Sequence, residues 1–170
     1  STEFLGKRLG VVGTGGIGSE VVKIGAALGL EVLAWNRSGV PSHLPCKEVT
    51  LDYLIGNVDV LSLHLALTDE TKGILNAGRL EMLRSDVILV NTSRGGLIDE
   101  DALLDCLRNH RISHAALDVF LEEPHDEDPE IKYIVSVFYE NNPYWGWANS
   151  ESLYPFSCSA LLGDLNDDGG

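Results

Sequence analysis

The chain has 170 residues, 44% of them hydrophobic, and 26 acidic against 12 basic side chains give it a formal net charge of −14. A length typical of one domain, with enough apolar residues to fill one core, excludes wholesale disorder. The scarcity of Lys and Arg argues against partners that present phosphate backbones or anionic lipid, so neither nucleic acid nor a membrane surface is expected.

The first apolar run, Leu9-Gly10-Val11-Val12, reads as a buried strand and leads into Gly13-Thr14-Gly15-Gly16-Ile17-Gly18. A helix is predicted over 17–28, with Val21, Ile24 and Leu28 at helical spacing and Gly29 as its C-terminal cap. A second strand over 31–35 is broken by Asn36-Arg37-Ser38-Gly39, and a Pro-containing connection leads to a weaker helix over 51–55. Residues 58–65 read as a buried strand, and Thr68-Asp69-Glu70-Thr71 as a turn capping the helix after it. That helix, over 77–83, a strand over 87–90, a helix over 100–109 capped by Asp99 and a strand over 115–117 complete the pattern. Apolar strands alternating with helices point to an α/β fold: a Rossmann-type, doubly wound parallel sheet in a single domain.

The last 38 residues hold eight of the twelve aromatic side chains, which suit a core or an interface. Before them, residues 122–130 carry six acids in nine positions, a solvated loop without the spacing of a calcium site. Cys46, Cys106 and Cys158 are odd in number and form no C-x-x-C pair, so neither a disulfide framework nor a zinc site is expected. No apolar stretch approaches the ~18 residues of a membrane span, and the first residues resemble no secretory signal; a cytoplasmic protein is expected.

Gly13, Gly15 and Gly18 stand directly between a strand and a helix, the context in which this spacing binds a dinucleotide. The first Gly permits the tight turn, the second admits the pyrophosphate to the backbone, and the third lets the helix pack on the strand; the helix N-terminus stabilises the phosphates. Gly16 and Ile17 belong to the same loop. The cofactor is then NAD or NADP. The residue that chooses between them lies at the end of the second strand, where Asn36, Arg37 and Ser38 offer an amide, a guanidinium and a hydroxyl. These suit a 2′-phosphate better than an Asp would, which favours NADP.

The segments Asn91-Thr92-Ser93-Arg94-Gly95-Gly96-Leu97-Ile98-Asp99 and Ala115-Ala116-Leu117-Asp118-Val119-Phe120-Leu121-Glu122-Glu123-Pro124 resemble the D-isomer-specific 2-hydroxyacid dehydrogenases. So does Val60-Leu61-Ser62-Leu63-His64-Leu65-Ala66-Leu67-Thr68, with Ala66 where that family usually has Pro. The resemblance runs over residues 5–152 and is similar in detail to the glyoxylate and hydroxypyruvate reductases. It implies that Arg94 grips and polarises a 2-oxo acid, a task for a planar guanidinium. It also implies that Glu123 pairs with a catalytic His, that Thr92 and Ser93 lie beside the cofactor, and that Asp118 lies near the nicotinamide carboxamide.

The position of that His falls on Tyr144, whose phenol titrates near 10 rather than near 6.5 and is a poorer proton shuttle at neutral pH. His125 lies in the acidic loop, two residues from Glu123, and His64 ends a buried strand as a structural histidine would. The resemblance further implies domain boundaries: residues 1–152 as the dinucleotide-binding domain, 153–170 as a tail, and the flanking substrate domain of the family absent. Two functions fit these residues. One is an NAD(P)-dependent oxidoreductase interconverting a 2-oxo acid and a D-2-hydroxy acid, as a homo-oligomer or with a partner supplying the missing lobe. The other is a non-catalytic NAD(P)-binding regulatory module, or a truncated dehydrogenase.

Overall fold

Strand β1 (Arg8–Val12) is paired on both sides in this computed structural model, which describes residues 4–112 and 114–119. On one side lie β2 (Glu31–Trp35) and the two-residue β3 (Lys47–Glu48); on the other lie β4 (Val60–Leu63), β5 (Ile88–Asn91) and β6 (His114–Leu117). The order is β3-β2-β1-β4-β5-β6, and every neighbouring pair is parallel. The chain therefore leaves β1 in one direction and returns to the other side of it before β4. That reversal opens a crevice at the carboxyl ends of β1 and β4, where ligands of open α/β sheets bind.

Alternation along the strands splits the core into two layers. Leu9 and Val11 of β1 join Val32 and Ala34 of β2 beneath α1 (Gly16–Ala27). Val12 and Leu33 face the other way, into a larger cluster with Leu61, Leu63 and Leu89. That cluster is covered by α2 (Leu51–Gly56), α3 (Ala77–Met82) and α4 (Glu100–Arg108).

Helix α1 departs from the spacing that suggested it. Its buried stripe is Gly18, Val22 and Gly25, whereas Ile24 and Leu28 are exposed and Val21 is only partly covered. Helix and sheet are too close for larger residues: a Cβ at Gly25 would lie 2.5 Å from Leu9 Cδ2. The helix ends as expected, with Gly29 at φ +84° donating to Ala26 O and Leu30 to Gly25 O.

The other helix starts are capped by short side chains. Thr50, Asn76 and Asp99 accept from the amides of Tyr53, Arg79 and Ala102, each worth about 1 kcal/mol. Asn76, and not the turn at 68–71, caps α3. Thr71 Oγ1 instead closes its own turn, donating to Ala66 O (2.7 Å) and accepting from Thr68 N (2.8 Å). Two further elements escaped the hydrophobic pattern. Strand β3 is short, polar and exposed, and a single 3-10 turn at Gly95–Leu97 follows β5.

Candidate functional site

The register lines up one row of residues across five strands: Trp35, Val12, Leu63, Asn91 and Leu117. The residues that follow each of them, Asn36, Gly13, His64, Thr92 and Asp118, form the crest of the sheet at the crevice. Most residues singled out in the sequence therefore lie along one edge, although they span more than a hundred positions.

At the centre, Gly13 adopts φ +98° and donates to Trp35 O at 2.8 Å. A Cβ there would lie 2.7 Å from His64 O, so both the turn and the approach of β4 require Gly. Gly18 packs tighter still, since its Cβ would fall 1.9 Å from Gly13 O. At Gly15 and Gly16 an added Cβ would meet nothing within 4 Å. These two glycines are not demanded by packing; they keep the space above the loop clear. The first turn of α1, where Ile17 stands exposed, has no side-chain cap and no acidic residue. Its amide dipoles therefore face that space, a setting that favours an anion.

Thr14 sharpens this view. It is buried, yet its Oγ1 has no hydrogen-bond partner, while its carbonyl accepts from Ser19 Oγ at 2.8 Å. An unpaired buried hydroxyl costs about 1–3 kcal/mol, so Thr14 fits a loop completed by a polar ligand. As an unspecified position between glycines, it gave no signal in the sequence.

The turn after β2 is pinned by Asn36. Its Oδ1 accepts from Thr14 N (3.4 Å), and its Nδ2 donates to Ser38 Oγ (2.9 Å) and Gly39 O (3.1 Å). The amide thus holds the two loops together. Arg37 is exposed and forms an ion pair with Glu70, a residue to which no sequence motif assigns a role.

On the other side of the crevice, Asn91 is fully buried and given over to the loop after β5. Its Oδ1 accepts from Ser93 N (3.1 Å), its Nδ2 donates to Arg94 O (2.9 Å), and its own carbonyl accepts from Asp118 N (3.0 Å). Ser93 Oγ ties this loop to β4 through Leu63 O at 2.6 Å. Thr92 and Asp118 are exposed on the crest. Arg94 is exposed too, with its Nη1 donating to Ser93 O at 2.6 Å. The sequence motif contains Asn91, but nothing in its spacing reveals the clamp.

Between the two loops, His64 Nε2 lies 2.8 Å from Ser62 Oγ, and burial pushes the imidazole below its usual pKa. Glu123, His125 and Tyr144 lie outside the described residues, as do the acidic run and the aromatic segment. Among the described residues no group of three or more His, Cys, Asp or Glu side chains could hold a metal, and no helix is long and apolar enough to cross a membrane.

The model of the NAD binding domain of the D-isomer specific 2-hydroxyacid dehydrogenases matches residues 1–139. The hydroxypyruvate reductase of Thermotoga maritima is 42% identical over 126 residues, covering 74% of this chain and 41% of the relative. Two of the solved structures that share the fold illustrate the likeness. D-lactate dehydrogenase of Lactobacillus jensenii with NAD+ superposes with a TM-score of 0.74 at 30% identity, over 80% of this chain and 44% of that one. An acyclic imino acid reductase in complex with NADPH and D-Arg superposes with a TM-score of 0.72 at 31% identity, over 81% and 46%. The chain spans less than half the length of these relatives.

Proposed function

The chain belongs to the D-isomer specific 2-hydroxyacid dehydrogenases by its NAD-binding domain, and from that premise we propose that it supplies the cofactor half of an enzyme interconverting a 2-oxo acid and a D-2-hydroxy acid. The observation that carries this reading is the pairing, along one sheet edge, of an uncapped helix N-terminus above open glycines with a clamped loop that presents Arg94. Residues 1–152 would form the domain, with 153–170 as a tail, and the rest of the cleft would come from a substrate lobe.

The residues present fit a dinucleotide. Gly13, Gly15, Gly16, Ile17 and Gly18 would hold the pyrophosphate, with Thr14 Oγ1 as a further polar contact. Asn36, Arg37 and Ser38 would flank the adenosine ribose, and Thr92, Ser93 and Asp118 the nicotinamide end. Arg37 and Ser38 favour NADP, and Glu70 opposes it. When bound, the nicotinamide supplies the hydride acceptor or donor. The protein must position the 2-oxo acid, and a guanidinium fork at Arg94 can bind its carboxylate and polarise its ketone oxygen together. Glu123 and Tyr144 would stand at the proton-transfer end.

Tyr144 favours a second reading, a cofactor-binding module without turnover, because a phenol releases and regains a proton poorly near neutral pH. One experiment tests both. Titration of the chain with NADH and NADPH, followed by tryptophan fluorescence, should give saturable binding; no response to either would overturn the dinucleotide reading. Glyoxylate or hydroxypyruvate is then added, and oxidation of NADH or NADPH is followed by absorbance. Turnover supports the enzyme. Binding without turnover, restored by Tyr144→His, supports the module.

A further inference from the structure

This inference rests on the dinucleotide reading and concerns what selects the cofactor. Arg37 stands on the turn after β2 and Glu70 on the turn after β4, the two strands that flank β1, so their ion pair joins the two sides of the crevice beyond the glycine loop. Both side chains are 66% exposed, yet neither turn is loose. The Arg37 turn is closed by Gly39 N donating to Asn36 O at 3.0 Å and by the Asn36 amide. The Glu70 turn is closed by Thr71, through Ala66 O and Thr68 N.

The end of β2 is where this fold reads the adenosine 2′ position: an acidic residue accepts from a 2′-hydroxyl, while an Arg accommodates a 2′-phosphate. Here both charges are present, and they neutralise each other. The Nη1 edge that Arg37 gives to Glu70 is not open to a phosphate, and the carboxylate repels a phosphate from the same place. A 2′-hydroxyl meets neither penalty.

We propose that Glu70 is a cofactor-selectivity residue: it competes with a 2′-phosphate for Arg37 and holds the site closer to NAD(H) than Asn36, Arg37 and Ser38 alone would place it. The pair is solvated, so its effect is modest and sensitive to salt.

The test is the affinity of the 170-residue chain for NADH and for NADPH, measured by fluorescence titration at low and high salt. Glu70→Gln should tighten NADPH by about two- to fivefold and leave NADH within about 1.5-fold, a gain that shrinks at high salt and vanishes in Arg37→Ala/Glu70→Gln. If wild type binds both cofactors but Glu70→Gln leaves their ratio unchanged, or shifts both equally, the selectivity role is overturned and the dinucleotide site stands. If wild type binds neither, the dinucleotide reading fails and this inference fails with it.

Discussion

The loops after β1 and after β5 lie on the same sheet edge and are built in opposite ways. The glycine loop works by lacking side chains. Gly13 and Gly18 are required by protein atoms within 3 Å of any added Cβ, whereas Gly15 and Gly16 leave open space. Its charge comes from the backbone of α1. The loop after β5 works through a side chain placed inside it: the buried Asn91 amide replaces the ladder bonds lost where the strand stops, and so aims Arg94 outward. The glycine loop is thus shaped by backbone, which tolerates no added bulk at Gly13 or Gly18. The loop after β5 is shaped by one amide, whose loss takes the partner from Ser93 N–H and one of two donors from Arg94 O. The carboxyl end of β4 joins them, with Leu63 O accepting from Ser93 and His64 O lying against Gly13.

The sharpest way to break this contrast is to add one methyl to the glycine loop. In Gly18→Ala the Cβ meets the carbonyl oxygen of Gly13, a backbone atom of the turn between β1 and α1, so turn or helix must shift. A loss of about 2–3 kcal/mol in urea denaturation is expected, together with loss of NADH binding. Gly15→Ala should change stability by less than about 0.5 kcal/mol and still weaken NADH binding. Equal destabilisation by the two would refute the division between packed and open glycines.

Next in size is Asn91→Ala, which strips partners from Ser93 N–H and Arg94 C=O. A cost of about 2 kcal/mol is expected, with NADH affinity reduced less than in Gly15→Ala. A larger loss of NADH affinity than in Gly15→Ala would erase the distinction between the two loops.

His64, at the seam between them, gives a smaller, pH-dependent effect. Burial lowers its folded-state pKa below the unfolded value near 6.5. As pH falls, the unfolded chain therefore takes up this proton first. The contribution to stability is complete above about pH 6.5 and is lost as pH falls through the folded-state pKa. Denaturation midpoints of His64→Gln should fall less than those of wild type between pH 7.5 and 5; parallel curves would exclude His64 as the source.

The smallest expected effect lies outside both loops. Helix α4 ends with His110 N donating to Leu107 O and Arg111 N to Cys106 O, the same closure that Gly29 makes for α1. The left-handed position, φ 52°, is occupied by His110 rather than Gly. His110→Gly should stabilise the chain by about 0.5 kcal/mol, the net of relieved strain and added chain entropy. A thermal scan would detect the shift, and NADH affinity should stay at the wild-type value.

Much of this architecture is legible residue by residue. The continuous apolar runs of β1, β2, β4 and β5 mark buried parallel strands, and Asp99 marks the start of α4 because a short carboxylate caps better than it propagates. The glycine spacing after β1 announces the tight strand-to-helix turn, since backbone turned through φ +98° against a neighbouring strand excludes a side chain. β3 is invisible by the same logic: two exposed polar residues carry no pattern.

Local chemistry in the sequence therefore determined which segments are strands and helices, where the tight glycine turn between β1 and α1 lies and which family the chain joins. Periodicity, capping and turn chemistry all act within a few residues. Tertiary structure alone decided that Asn36 ties its turn to the glycine loop, that Asn91 clamps the loop of Arg94, and that Glu70 meets Arg37 across 33 positions. Those roles depend on distances between strand ends, which sheet order and register set and which no local pattern encodes.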